Sequence, residues 1–404
     1  MRWLSRAPAS KPKIGLVLPG GGARAAYQVG VMQAITRLLP KDAPLPFDIV
    51  TGTSAGSINA AALAIHSKNF RQGVWRINMV WKNFHVHQVF RADALGLLKN
   101  GAHWLLAMAL GGLGRYNPHS LLDRAPLRPL LEHYLPCEQI QEAIDTGILH
   151  ALGITASSYN TGHSVTFFQG HPGITGWDRQ RRIGYPEKIT IDHLMASSAI
   201  PLIFSAIKVK NEYFGDGSIR QIAPLSPALH LGAERILVVG IRKKQDTAQR
   251  SEIDMPYPTM AEVGGHVLNS IFLDSLDPDL ERLERINKTI SLIPDRRLEQ
   301  GGVTLRQVDV LTITPSQNID EIAERHAHLL PRPLRYFLKG VGAFGGHGST
   351  LLSYLLFEKE FCRELITLGY RDAMKKRDEI AALMDIEATG SRATPPAASA
   401  VPHG

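Results

Sequence analysis

The pentapeptide Gly52-Thr53-Ser54-Ala55-Gly56 constrains this chain more than any other feature, because of what lies on either side of it. Residues 47–51 (FDIVT) have the short, largely apolar and β-branched pattern of a buried parallel strand, and residues 57–65 (SINAAALAI) are alanine-rich like a helix. A strand that reverses into a helix across G-x-S-x-G must turn sharply. The serine then sits at the apex in a strained backbone conformation, its hydroxyl presented between small neighbours, with Gly52 and Gly56 supporting the elbow. Ser54 is therefore a candidate nucleophile at the positive end of a helix, where negative charge developing in an acyl transfer is favoured. A plain helix-capping serine is the alternative.

A second glycine cluster lies upstream. Residues 13–19 (KIGLVLP) read as another buried strand and run into Gly20-Gly21-Gly22-Ala23-Arg24 before an amphipathic helix over residues 25–39. Glycines between strand and helix let backbone N–H groups converge on one point, as an oxyanion or a phosphate requires. Gly20, Gly22 and Ala25 also fit the dinucleotide pattern G-x-G-x-x-A. That pattern wants an acidic residue ending the second strand, whereas Asp48 opens it and the elbow serine stands where the ribose contact belongs. No Gly-Lys-Ser/Thr follows, which argues against a nucleotide P-loop.

A serine nucleophile needs a base. Asp216, held between Gly215 and Gly217 after the strand-like residues 203–209, stands out, although a G-D-G corner also suits a simple turn in which Asp bonds its own backbone. A three-residue relay would need a later histidine: His230, His266, His326, His328 or His347, of which His347 in a glycine-rich loop best fits a presented residue. Metal chemistry has little support. The pairs His85/His87 and His326/His328 suit a strand and a helical stretch respectively, in the second of which the side chains diverge, and there is neither H-E-x-x-H nor a paired cysteine spacing.

Taken together, Gly20-Gly21-Gly22-Ala23-Arg24, the elbow Gly52 to Gly56, and Asp216-Gly217 resemble, in that order, the patatin-like phospholipase family of bacterial type. Residues 196–201 (ASSAIP) are similar to the family's stretch leading to the catalytic aspartate, and the similarity covers roughly residues 13–241. The resemblance implies an α/β fold with a three-layer, mostly parallel sheet flanked by helices, and a Ser/Asp dyad without histidine. It implies that Ser54 attacks the ester carbonyl, that Asp216 takes the serine proton and later activates water, and that amides around Gly21, Gly22 and Ala23 hold the oxyanion. Arg24 would steady that loop or contact a lipid phosphate. No cofactor or metal is implied, and the substrate class is a phospholipid or other acyl lipid. Two departures bear on substrate fit rather than chemistry: Ser218 replaces the small residue after Asp-Gly, and Ala25 replaces a glycine after Gly-x-Arg. A catalytically degenerate lipid-binding or regulatory protein, and an esterase or thioesterase for small soluble substrates, remain as alternative readings.

The chain as a whole bounds this picture. Its 404 residues allow one large α/β domain, expected over residues 13–243, after a short tail over residues 1–12. A mainly helical C-terminal region over residues 244–387 follows, then a Pro/Ala/Ser-rich tail over residues 388–404 expected to be disordered. Val308 to Thr314 could supply a last sheet strand and dock this region on the main domain. Cys137 and Cys362 alone exclude a disulfide framework. The N-terminus lacks an apolar signal core, and no window reaches the roughly 18 apolar residues of a spanning helix, so a cytoplasmic protein, peripheral to a membrane, is expected. Lys and Arg number 45 against 37 Asp and Glu; this excess suits a transient anionic membrane surface, and nothing resembles a nucleic-acid module. Residues 80–125, rich in Trp, Phe and Leu, read either as a lid or membrane-contact insertion, with Trp104 and Leu105 at its centre, or as a buried core helix.

Overall fold

A computed structural model describes residues 11–91, 101–103, 106, 109–110, 120–243, 257, 263, 270, 275–293, 305–340 and 349–386. Residues 1–10 of the N-terminal tail, Trp104 and Leu105, most of the 244–274 segment, His266, His347 and the C-terminal tail lie outside these residues.

The strands are β1 (Ile14–Leu18), β2 (Ile49–Thr53), β3 (Ala151–Ser158), β4 (Ser164–Gly170), β5 (Trp177–Arg179), β6 (Arg182–Pro186), β7 (Ile207–Val209), β8 (Glu212–Asp216), β9 (Arg235–Val239) and β10 (Asp309–Ile313). They form one mixed sheet in the order β10-β9-β1-β2-β3-β4-β6-β5. The run from β10 to β3 is parallel throughout, and β3 and β4 form the antiparallel hairpin that Asn160-Thr161-Gly162 predicts. Strand β8 also pairs with β3, antiparallel, and β7 pairs with β8.

Both faces of the sheet are covered, which is why its central strands are apolar on alternate and intervening positions alike. Ile14, Leu16 and Leu18 of β1, with Leu237 and Val239 of β9, enter the larger core beneath α1 (Ala26–Leu38), α2 (Ala55–Ile65) and α3 (Phe70–Lys82). Val17, Ile236 and Val238 point the other way, against residues of the helices Ser226–His230 and Leu276–Ser291. The result is a three-layer α/β arrangement with further helices near the C-terminus.

Those C-terminal helices join the main core. Gly30 of α1 and Gly369 of the helix Lys359–Lys375 face the partner's backbone at Ile366 and Tyr27, an approach that leaves no room for a side chain at either position. Strand β10 extends the sheet beside β9.

Three local readings change. The segment 203–209 is a strand only at Ile207–Val209, because Leu202 adopts φ 66° and the carbonyls of Leu202 and Ile203 instead accept the N–H groups of Leu121 and Leu122. Asp216 ends strand β8 rather than sitting in a free corner. Val80 to Lys82 close helix α3, which the sequence reading passes over. Asn69 caps it through the Gln72 N–H at 2.9 Å, and Phe70, Val74, Ile77 and Trp81 bury one face. The histidine pairs also differ: His85 caps a helical turn at Val86–Val89, and the helix carrying His326 ends there, leaving the His326 and His328 rings stacked 6.5 Å apart. Among the described residues no helix is long and apolar enough to cross a membrane.

Candidate active site

Ser54 stands between β2 and α2 with φ 54° and ψ −130°, a conformation that few non-glycine residues adopt. Its surroundings over-determine it. Its N–H donates to Ser197 Oγ at 2.9 Å, and Ser197 Oγ in turn donates to the Thr155 carbonyl at 2.6 Å. Gly52 and Gly56 let the turn close: a Cβ on Gly52 would stand 2.5 Å from the Gly56 carbonyl, and one on Gly56 would collide with the end of β1 at Leu18.

The register of β3 brings Asp216 to this place. Thr53, the last residue of β2, pairs with Thr155, and Asp216, the last residue of β8, pairs with the next residue, Ala156. Two strands running in opposite directions therefore end against each other on one edge of β3. The Asp216 N–H donates to the Ala199 carbonyl at 2.8 Å, so residues 197–199 hold the backbones of both Ser54 and Asp216. Gly217 lies against the Thr155 carbonyl, where a side chain would not fit.

The Asp216 carboxyl is fully buried. Its Oδ1 accepts the Ser218 N–H at 3.0 Å, while Oδ2 is buried without a well-aligned hydrogen-bond partner. Burial pushes its pKa up to about 7; the nearby Ser54 hydroxyl, the Ser218 N–H and hydroxyl, and the Arg124 guanidinium only partly oppose this. The Ser54 hydroxyl is thus near enough to the buried carboxyl to favour its ionised form.

The glycine loop faces the same point. A Cβ on Gly20 would stand 2.7 Å from both Ser54 Cβ and Ser218 Oγ. Gly21, packed against Ile241, precedes a 3-10 turn, Gly22–Ala25, whose first N–H groups have no acceptor within the turn. Gly22 has φ 55°, and Ala23 is fully buried behind it. Arg24 is only 2% exposed; its Nε donates to Ser353 Oγ at 2.8 Å and its Nη2 to Asp320 Oδ1 at 2.5 Å. Of the two roles considered for Arg24, contact with a lipid phosphate does not fit a buried guanidinium committed to internal partners.

A cavity of about 630 Å³ leads from Ser54 along α2, where Ser54, Ile58, Ala62 and His66 follow one another at helical spacing. Trp81 and Phe357 also line it, and Trp75 and Met79 stand exposed among its lining residues. Trp81 Nε1 donates to Asn59 Oδ1 at 2.9 Å, which satisfies the indole N–H within that wall.

Sequence reasoning missed Arg124 and the anchoring role of Ser197. Arg124 is 5% exposed and donates to the Met195 carbonyl at 2.7 Å and the Ser205 carbonyl at 3.0 Å, which places its charge near Asp216; burial lowers its pKa to about 10. It falls in the stretch read as an insertion, and no local pattern marks it. Among the histidines considered, His230 stacks on Trp177 and His326 bonds Glu364 at 2.7 Å.

The sequence model of the patatin-like phospholipase family matches residues 16–229, just over half of the chain. A cGAMP-activated phospholipase from Escherichia coli (strain TW11681) is 27% identical over 220 residues, which are 52% of this chain and 53% of that protein. A lysophospholipase, nte1, from Aspergillus terreus is 49% identical over 51 residues, 13% of this chain and 3% of that protein. The chain thus spans from a few per cent to about half of the length of these relatives. The crystal structure of VipD from Legionella pneumophila aligns with a TM-score of 0.31 at 13% identity, covering 94% of this chain and 69% of that one. By the family match and its extent, the chain belongs to the patatin-like phospholipase family.

Proposed function

We propose that this protein is a lipid acyl hydrolase that cleaves carboxylic esters of phospholipids or lysophospholipids through a Ser54/Asp216 dyad. The observation that carries this reading is the meeting of Ser54 and Asp216 on one edge of β3, at the inner end of an apolar cavity. Ser54 Oγ adds to the ester carbonyl carbon while its proton passes to Asp216 Oδ2, the buried oxygen that lacks a partner. The carbonyl oxygen becomes an oxyanion facing the amides of the turn at Gly21, Gly22 and Ala23. Collapse expels the alcohol oxygen, which takes the proton from Asp216 and leaves an acyl-enzyme. Water then attacks the acyl carbon, gives its proton to Asp216, and the free acid leaves as the proton returns to Ser54.

A carboxylate of ordinary acidity is a feeble base toward a serine hydroxyl. Burial raises Asp216 to about 7, so the group is both ionised in a useful fraction and basic enough near neutral pH. The relatives named as phospholipase and lysophospholipase support the acyl-lipid class, and the apolar cavity supports an aliphatic chain.

The same cavity suggests how a lipid arrives. Trp75 and Met79 are exposed one turn apart on α3 with Arg76 between them, and α3 carries Arg71, Arg76 and Lys82 without an acidic residue. That face suits transient docking on an anionic lipid surface, acyl chain leading.

Purified protein tests the reading directly. A fluorophosphonate probe should label Ser54, and mass spectrometry should show phospholipid vesicles losing acyl chains with the wild type but not with Ser54→Ala. Labelling and lipid loss that persist in Ser54→Ala would reject it.

A further inference from the structure

The glycine loop does not stand on the family-matched region alone. Arg24 follows Gly20-Gly21-Gly22-Ala23, and its side chain leaves the cavity side for partners about 300 positions further along the chain. Asp320, in the first turn of the helix Ile319–His326, takes Nη2, and Ser353, in the helix Ser349–Leu355, takes Nε. Asp320 is itself held from the second helix. Its Oδ1 lies 2.9 Å from Ser353 Oγ and its Oδ2 accepts from Thr350 Oγ1 at 3.2 Å. The guanidinium also lies 4.7 Å over the Tyr354 ring.

The backbone is seated on the same helix. Gly22, at φ 55°, lies so close to the Tyr354 carbonyl that no Cβ would fit between them. Side chain and main chain of the loop therefore rest on residues 320 and 350–354, all beyond residue 229, where the family match ends.

A buried guanidinium keeps its place only if its partner stays, because an unpaired charge there is far more costly than a broken surface pair. Its planar fork, held by Ser353 at Nε and Asp320 at Nη2, also fixes orientation more firmly than a point charge would. An oxyanion site works only when its donors are already aimed at the developing charge.

We propose that Asp320, with Ser353 and the Tyr354 carbonyl, positions the oxyanion loop through Arg24, so that the C-terminal region completes the active site although it carries neither member of the dyad. The proposal rests on the acyl-hydrolase reading of Ser54. It predicts damage of a particular kind: loss of stabilisation for the tetrahedral anion, with ground-state binding in the cavity preserved.

The test uses the full chain and the variants Asp320→Asn and Ser353→Ala, with p-nitrophenyl butyrate as substrate. Two long-chain ketones serve as probes. A trifluoromethyl ketone adds Ser54 Oγ and leaves an oxyanion, whereas the matching methyl ketone occupies the cavity without forming a stable adduct. In Asp320→Asn kcat should fall about 10–100-fold and trifluoromethyl ketone affinity should fall in parallel, while KM and methyl ketone affinity stay within about two-fold. Ser353→Ala should show the same pattern with a smaller loss, and it decides the matter alone if Asp320→Asn does not fold. Unchanged kcat in the folded variants would overturn the proposal, as would equal weakening of both ketones, the mark of a merely structural role. A wild type that neither turns over the ester nor reacts at Ser54 would reject the hydrolase reading and this inference with it. A wild type that does both while the variants match it rejects the inference alone.

Discussion

Thr53 and Asp216 occupy consecutive places along one edge of β3, opposite Thr155 and Ala156, although their strands arrive from opposite directions. The parallel strand β2 ends where the antiparallel strand β8 ends, and the residue after Thr53 is Ser54. A serine and a carboxylate 162 positions apart are thereby set by sheet register rather than by flexible loops.

The carboxylate should announce itself in both activity and stability. With its pKa at about 7, kcat/KM for a neutral ester should rise with pH through that value and level off above it. The stability effect has the opposite sense. Asp216 binds its proton more tightly folded than unfolded, where 3.8 applies, so between those values the unfolded state holds fewer protons and stability falls as pH rises. Asp216→Asn should lose roughly 10³-fold or more in kcat, yet gain stability over wild type by up to roughly 3–5 kcal/mol as pH climbs from about 4 to 8. Thermal melts of the two proteins across that range check the sign; a variant that grows relatively less stable with pH would show that Asp216 is not held protonated by burial.

Arg124 should tune that titration. Its charge lowers the pKa of Asp216, so Arg124→Met should move the acid limb of kcat/KM to higher pH. An acid limb that stays in place, measured on a correctly folded variant, would remove Arg124 from the electrostatics of the site.

What could be read from the sequence is local, and what could not is long-range. The elbow was legible because a β-branched run, a G-x-S-x-G turn and an alanine-rich run stand next to each other, and because Ser54 needs no distant partner to define its turn. The glycine loop was legible for the same reason. Asp216 stands out as a candidate base in its G-D-G corner, but only the resemblance chooses it over a plain turn, since its nearness to Ser54 depends on β3 offering one edge to two strands. Arg124, Asp320 and Ser353 carry no local signal, and residues 196–201, though recognisable as a stretch, do not reveal that Ser197 anchors the elbow. Arg124, Ser197, Asp320 and Ser353 each make a hydrogen bond to a residue between 42 and 329 positions away, and no periodicity records such a pairing. Helix α3 was legible in principle, from Asn69 and the spacing of Phe70, Val74, Ile77 and Trp81, but the aromatic-rich stretch beginning at Val80 drew the boundary to the wrong place.

Ser197 offers a cleaner test of the elbow than the dyad itself. Ser197→Ala leaves the Ser54 N–H buried without its acceptor and frees the strained φ of 54° to relax. A buried donor left unmet costs about 1–3 kcal/mol, and if that is felt as misplacement of the nucleophile, kcat should fall about 10–100-fold with KM little changed. Steady-state kinetics beside a thermal melt distinguish this from global loosening. Full kcat in the variant would mean that β2 and α2 hold the elbow unaided.

Chain-length selection should be writable into α2. Ala62 lies two turns beyond Ser54 on the cavity wall, and Trp at that position would fill space an aliphatic chain needs. Ala62→Trp should keep turnover of p-nitrophenyl butyrate within about three-fold while losing more than about ten-fold on the palmitate ester, because each buried methylene contributes roughly 0.8 kcal/mol. Equal effects on both esters would place the acyl chain elsewhere.

The outer rim carries the last prediction. Trp75 and Met79 are exposed neighbours at i and i+4 on α3, and Arg76 stands between them beside the cavity. On a lipid surface the two apolar groups enter the interface and the cation meets anionic headgroups, whereas a small soluble ester needs none of this. The double variant Trp75→Ser/Met79→Ser should therefore sediment poorly with vesicles containing phosphatidylglycerol and lose hydrolysis of those vesicles. Its turnover of p-nitrophenyl butyrate should stay within about two-fold of wild type. Arg76→Glu should reproduce the vesicle defect at low salt and lose the difference from wild type as salt is raised, since screening removes the electrostatic part alone. Undiminished vesicle binding in both variants would move the membrane face away from α3 and leave Trp75 and Met79 as the mouth of a cavity loaded from solution.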